Sequence, residues 1–264
     1  MNLQAYNLLE RVREQKPVVH HLTNWVTIYD CAQVVKTLGA SPVMAHAIEE
    51  VAEMTQIASA LVLNIGTLTV DVVRAMHVAA KSANKKGIPV ILDACGAGAT
   101  RFRDQMCLEL LNEARIDVIK GNASEVARVA GESVKTRGVD ATEVAGDLAM
   151  LAQQLATQRH ATVVVTGPVD IVTDGKRTYR IANGHAMMAH VVGTGCMAAS
   201  VIGTFAAVER DMATAAACAL AIFGIAAEVA AEKAPGPATF KERLFDCLYS
   251  LDRATVDRLQ RVEG

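Results

Sequence analysis

Aromatic side chains are scarce in this chain: one Trp, four Tyr and five Phe, together 4% of 264 residues. Its six cysteines include no Cys-x-x-Cys pair, so neither a zinc cluster nor a disulfide framework is indicated, and a reducing cytoplasm fits. No basic run interrupts a net charge of −2, which argues against nucleic acid as a partner. The opening residues lead directly into the charged Glu10-Arg11-Val12-Arg13-Glu14 and lack the form of a signal peptide. The longest apolar stretch, residues 213–227, is short of the ~20 strongly apolar residues of a membrane span and reads as a buried helix. Linkers, low-complexity tracts and internal repeats are missing as well. The chain therefore reads as a single domain over residues 1–264, without membrane or nucleic-acid partners.

What the chain does have is small aliphatic residues, with 52% hydrophobic content that suits helices packed closely on a sheet. Short buried runs appear at residues 43–45, 61–64, 90–93, 118–120 and 162–166. Amphipathic stretches lie between them, at 28–38, 48–58, 70–85, 105–114, 123–130 and 142–158. Short apolar strands followed by helices predict βαβ units, hence an α/β fold with a mostly parallel central sheet covered by helices on both faces. Residues 170–180 break the alternation: two strand runs flank Asp174-Gly175, a hairpin signal that adds antiparallel strands at one side. Beyond Cys196 the chain reads as nearly all helix.

Ligands of parallel sheets bind beyond the carboxyl ends of the strands. Several runs here end in polar or glycine-containing segments: Asn64-Ile65-Gly66-Thr67, Asp93-Ala94-Cys95-Gly96-Ala97-Gly98, Lys120-Gly121-Asn122 and Thr166-Gly167. Gly193-Thr194-Gly195-Cys196 is a glycine turn opening into a small-residue helix. Unpaired backbone N–H groups at such a turn attract anions, and the helix dipole favours a Cys196 thiolate; an ordinary connection with a buried thiol has the same pattern.

The other candidates each carry two readings. Asp93 suits a magnesium-side carboxylate near phosphates, or a helix N-cap; a dinucleotide fingerprint fails because Arg101 stands where a third glycine belongs. Asn122 and Glu125 form a capping-box pattern, or place Asn122 by nucleotide phosphates and Glu125 by magnesium. Lys120 is a phosphate partner or a surface lysine, and Thr166-Gly167 a nucleotide contact or a turn. His20 and His21, as strand neighbours, point to opposite faces and make a poor metal pair. Asn24 offers a donor and an acceptor to a small heterocycle. Met44 could pack a soft sulfur on a flat ring, or simply be core.

Taken together and in order, these segments resemble a known family. His20, Thr23-Asn24, Gly39-Ala40-Ser41-Pro42-Val43-Met44, Asn64-Ile65-Gly66-Thr67-Leu68, Gly121-Asn122-Ala123-Ser124-Glu125, Gly138-Val139-Asp140, Asn183-Gly184-His185 and Gly193-Thr194-Gly195-Cys196 are similar to the motifs of hydroxyethylthiazole kinases. The resemblance runs from about residue 5 to about 250. It implies a ribokinase-like fold and a homotrimer with thiazole sites between subunits. It also implies ATP- and Mg2+-dependent phosphorylation of the hydroxyethyl group of a thiazole in thiamine salvage. By resemblance, Asn24, Met44 and Gly193 bind the thiazole, and Lys120, Asn122, Thr166, Gly167 and Gly195 bind ATP. Asp93 and Glu125 are the magnesium-side acids, and Cys196 takes the place of the aspartate base of related kinases. The chain departs from the family pattern at Ala94-Cys95 (usually Pro-Val), Lys120 (Arg), Pro168 (Glu), Ala189-His190 (Thr-Lys) and near Gly236-Pro237-Ala238, where a second glycine is lost. Three alternatives remain open at this point. They are a kinase for a hydroxymethylpyrimidine or a sugar, a dehydratase of hydrated nicotinamide nucleotides, and a non-catalytic thiazole-binding homologue.

Overall fold

The computed structural model describes residues 3–132 and 141–264; Gly138-Val139-Asp140 lies outside the described residues. Helix α1 (Ala5–Gln15) leads into β1 (Val18–Leu22), α2 (Ile28–Thr37), β2 (Ser41–Val43) and α3 (Val51–Ile57). Then come β3 (Ala60–Asn64), α4 (Val70–Lys86), β4 (Val90–Asp93), α5 (Arg101–Glu113), β5 (Val118–Asn122) and α6 (Ala123–Val129). Helix α7 (Ala141–Arg159) precedes β6 (Thr162–Thr166), β7 (Asp170–Thr173) and β8 (Thr178–Ile181). A 3-10 turn at Ala186–His190 is followed by α8 (Thr194–Ala206), α9 (Met212–Ala231), α10 (Pro237–Ser250), α11 (Arg253–Leu259) and a two-residue strand, β9 (Val262–Glu263).

Among the described residues these strands form one nine-stranded sheet in the order β2-β1-β3-β4-β5-β6-β7-β8-β9. Pairings from β2 through β6 are parallel, and those beyond β6 are antiparallel. The aliphatic runs alternate between two cores. Val19, Val62, Ile91 and Val164 face α1, α2, α8, α9 and α10; Leu61, Leu63, Leu92 and Val163 face α4 to α7. A sheet buried on both faces explains why the strands read as continuous apolar runs. Helix α9 is long and apolar enough to cross a bilayer, but it is a buried core helix here.

Some expected bounds shift. The strand expected at 43–45 is Ser41–Val43, the piece in register with Val18, Val19 and His20 of β1. The helix expected at 48–58 contracts to Val51–Ile57. His20 and His21, read as strand neighbours, do lie on a strand, β1, which is internal to the sheet. Both are fully buried. His20 bonds Thr55 Oγ1 at 3.0 Å and the Ala45 carbonyl at 2.8 Å, whereas His21 bonds the Val19 carbonyl at 3.1 Å. Burial lowers both pKa values, that of His21 to about 3, so both rings are neutral and serve the fold.

Candidate active site

The parallel strands deliver their carboxyl ends to one rim, and cross-strand register aligns three polar residues there. Asn64 is opposite Asp93 in the β3–β4 pair, and Asp93 is opposite Lys120 in the β4–β5 pair. Register partners in a parallel sheet point to the same face, so the three side chains form a lateral row. Asn64 donates to Asp93 Oδ2 at 2.6 Å, and Lys120 Nζ donates to Asp93 Oδ1 at 3.0 Å. Asp93 is 0% and Lys120 4% exposed, so the surface-lysine alternative is excluded.

Facing the row is the first turn of α8. Gly193 starts it in the left-handed region with φ +93°, and no side chain caps it. The sulfur of buried Cys196 accepts from the side-chain amides of Asn24 at 3.2 Å and Asn64 at 3.4 Å. Asn24 also donates to Asn64 Oδ1 at 2.9 Å, which closes a network over Asn24, Asn64, Asp93, Lys120 and Cys196. Burial pushes the Asp93 carboxyl up, against the pull of Lys120. Burial also disfavours the Lys120 ammonium, but Asp93 outweighs it and the lysine stays charged. Cys196 moves the other way, down to about 5. The hydrogen bond from Cys95 is the largest cause of lowering, joined by Thr27, Lys120 and Asn24 against the opposing effect of burial.

On the other side of the row, Glu125 closes the capping box of α6. Its Oε2 accepts from the Asn122 N–H at 2.7 Å, while Asn122 Oδ1 accepts from the Glu125 N–H at 3.0 Å. Its Oε1 reaches across to the Gly96 N–H at 2.7 Å, so the acid also ties down the loop after β4. Both readings of this pair therefore share one place: the cap is formed, and it stands on the rim. Among the described residues, no three His, Cys, Asp or Glu side chains gather as a ligand set. Asp93 and Glu125 have their oxygens in use. Such acids suit a divalent cation that keeps its waters and binds phosphates, as magnesium does, rather than an all-protein cage.

Network and turn open into a cavity of about 890 Å3. It unites Asp93, Lys120, Asn122, Glu125, Thr166, Gly167, Gly193, Gly195 and Cys196. Asn24 reaches it through the Cys196 sulfur. Met44 does not line it; half-buried beyond β2, it stands at the edge of the sheet. Asn64 belongs to a polar strand end that the sequence marked without giving this side chain a role of its own, and two contributors to the cavity escaped the sequence reading. Asp170 lines the cavity and accepts from the Gly167 N–H at 2.9 Å, and burial pushes its carboxyl up to about 6. Leu220 and Phe223 of α9, with Met188 and Ala198, give the cavity an apolar wall that no local pattern announced.

Gly193 is required twice over. A Cβ there would stand 2.5 Å from Thr27 Cγ2, and φ +93° disfavours any side chain by about 1–2 kcal/mol. Gly193→Ala is therefore expected to lower the unfolding temperature, as Thr27 and the Asn24 loop are pushed away. Thermal unfolding checks this; an unchanged midpoint would show that the turn tolerates displacement.

A profile of the hydroxyethylthiazole kinase family matches residues 9–254. A hydroxyethylthiazole kinase of Methanosarcina mazei is 52% identical over 97% of this chain and 98% of its own length. One of Thermoanaerobacter pseudethanolicus is 48% identical, again over 97% and 98%. Among solved structures, a hydroxyethylthiazole kinase from Pyrococcus horikoshii OT3 superposes with a TM-score of 0.91 at 42% identity, covering 98% of each chain. An ADP/ATP-dependent NAD(P)H-hydrate dehydratase from Bacillus subtilis shares the fold alone, with a TM-score of 0.56 at 16% identity, over 90% of this chain and 96% of the other.

Proposed function

This chain belongs to the hydroxyethylthiazole kinase family, and on that premise we propose how its own residues perform the family's reaction. The protein is a phosphotransferase of ribokinase-like fold that phosphorylates the hydroxyl of 4-methyl-5-(2-hydroxyethyl)thiazole, a thiamine-salvage step. The reaction is nucleotide-dependent. The observation that carries the residue assignment is the Asn64–Asp93–Lys120 row facing a lowered-pKa Cys196 on an uncapped helix N-terminus.

In this reading ATP lies along the rim, with its phosphates toward Lys120, Asn122, Thr166 and Gly167. The N–H groups of Gly195 and Cys196 stabilise charge on the transferring phosphoryl group. Asn24, Met44 and Gly193 hold the thiazole, and the Cys196 thiolate orients the hydroxyl and accepts its proton. Phosphoryl transfer depends mainly on positioning and electrostatics, so a cysteine suffices where related kinases use an aspartate. Asp93 and Glu125 would hold Mg2+ through water; when bound, the ion neutralises phosphate charge. Asn64 is a positioning residue, since its amide spans Asp93 and Cys196.

Two features support a homotrimer with sites shared between subunits. Met44 is absent from the cavity of its own chain, and Trp25, Val26, Tyr29 and Val192 are exposed, from 55% to 72%, close to the Gly193 turn. They adjoin a second, shallower hollow of about 390 Å3 lined by Val26, Asp30, His190 and Lys241. Substrate is then expected to stabilise the oligomer, because a ligand favours the state that binds it. Light scattering across a dilution series checks this; a fully active monomer would refute it. We further read one domain across residues 1–264 and a cytoplasmic location, consistent with the continuous sheet and the free thiols.

A coupled ADP-release assay tests the whole reading. Turnover is expected with the thiazole alcohol and Mg-ATP, and far less with hydroxymethylpyrimidine or ribose. Thiazole binding by calorimetry without Mg-ATP binding would instead identify a non-catalytic thiazole-binding protein.

A further inference from the structure

The motif Asn183-Gly184-His185 follows β8 and lines the large cavity, yet no role given above uses it. Buried Asn183 has its side chain fully engaged within the fold. Its Nδ2 donates to Glu228 Oε1 at 3.0 Å and to the Leu259 carbonyl at 2.8 Å, and its Oδ1 accepts from the Arg261 N–H at 2.8 Å. Gly184 gives its N–H to the same Glu228 oxygen at 2.8 Å. Helix α9 presses against the motif with one face. Leu220, Phe223 and Gly224 line the cavity, and a Cβ at Gly224 would stand 2.6 Å from the Asn183 carbonyl. Glu228 lies one turn further along that face, past the residues that line the cavity. Arg261, just before β9, completes the clamp: its guanidinium donates to both Glu228 oxygens, at 2.7 and 3.2 Å, and to the Ala182 carbonyl at 2.9 Å. The Arg261 side chain is half-exposed, so the ion pair contributes little to global stability, but its donors and acceptors converge on one short segment of the cavity wall.

We propose that Glu228 and Arg261 are positioning residues for the nucleotide, holding Asn183-Gly184-His185 against α9 and so setting the width of the apolar end of the cavity. Neither residue lines the cavity, so both act through the motif. The assignment to the nucleotide rests on the reading of the site given above. With the thiazole at Asn24, Gly193 and Cys196 and the phosphates along the polar rim, the wall of Leu220, Phe223 and this motif is left for the flat base. A slot of fixed width binds a flat ring without first having to order its own wall. Loosening the clamp therefore weakens nucleotide binding and leaves the chemistry at Cys196 in place.

The test measures kcat, KM for Mg-ATP, KM for the thiazole alcohol and the unfolding midpoint in the full-length protein and its variants. Glu228→Gln turns an amide donor toward the guanidinium, and Arg261→Ala removes the clamp. Both are expected to raise KM for Mg-ATP about 10-fold, while kcat at saturation and KM for the thiazole alcohol hold. Arg261→Lys keeps the charge without the fork and should fall between. Arg253→Ala is the control: it removes a similarly exposed arginine, paired with Glu10 and Asn7, and should leave both KM values unchanged. An unchanged KM for Mg-ATP in Glu228→Gln and Arg261→Ala, or a rise of both KM values in step with a lost midpoint, would overturn the proposal. Should Arg261→Ala fail to fold, Glu228→Gln and Arg261→Lys decide by the same criterion. If the unmutated protein is active and the variants match it, the positioning role fails alone. If the unmutated protein turns over no thiazole alcohol, the kinase reading fails, and Mg-ATP calorimetry on Glu228→Gln decides the positioning role: weaker binding upholds it and equal binding ends it.

Discussion

Replacing Cys196 with alanine is expected to lower kcat by about 10- to 1,000-fold through loss of base assistance, while thiazole affinity holds. The variant should fold, because the amides that lose the sulfur keep other partners: Asn24 still donates to Asn64 Oδ1, and Asn64 to Asp93 Oδ2. Cys196→Asp should remain active, since a carboxylate restores a negative acceptor at the same place, and Cys196→Ser should fall between the two. The pH profile separates chemistry from packing. Cys196 is lowered to about 5, chiefly by the Cys95 hydrogen bond with Thr27, Lys120 and Asn24 assisting against burial. The thiolate therefore dominates at neutral pH, and kcat/KM should fall as pH drops through about 5, where the sulfur gains a proton and can no longer accept one. The limb in kcat should lie higher, because bound nucleotide phosphates oppose the negative sulfur. Cys196→Asp should move the limb to lower pH, and Cys196→Ala should abolish it. Wild-type kcat and an unchanged limb in the alanine variant would reduce the cysteine to packing.

Lys120→Ala should produce the largest loss of stability. It leaves the fully buried Asp93 carboxylate without its cation, and breaking a buried pair typically costs about 3–5 kcal/mol. Nucleotide affinity should fall as well, by about 1–3 kcal/mol if the ammonium contacts phosphate. A second variant separates the effects. Lys120→Ala with Asp93→Asn removes the orphaned charge, so it should regain much of the stability without regaining nucleotide affinity. Lys120→Arg should keep both, because the charge is retained at a position where the family pattern carries arginine. Urea unfolding and Mg-ATP calorimetry on these variants check the argument. An alanine variant with native stability and affinity would mean that the pair serves neither.

Much of this was legible in the residues themselves. The aliphatic runs of β3 to β6 and the helices between them follow from alternation and composition, which act over a few residues at a time. The α6 cap is likewise a matter of neighbours three positions apart. The clustering of polar strand ends follows from the parallel direction of strands in βαβ units, which brings every carboxyl end to the same rim. Other features had no local signal. The polarity of His20 and His21 gives no local sign of burial, yet β1 is internal because β2 and β3 pair on either side of it. Tertiary packing alone brings Leu220, Phe223 and Cys95 into the lining of the cavity that Cys196 faces, and leaves Met44 outside. The sequence by itself determined where β3, β4 and β6 end and where α8 begins. Only the tertiary structure decided that Asn64, Asp93 and Lys120 share one row under Cys196. That row depends on strand order and register, which long-range burial sets and no short window of residues encodes.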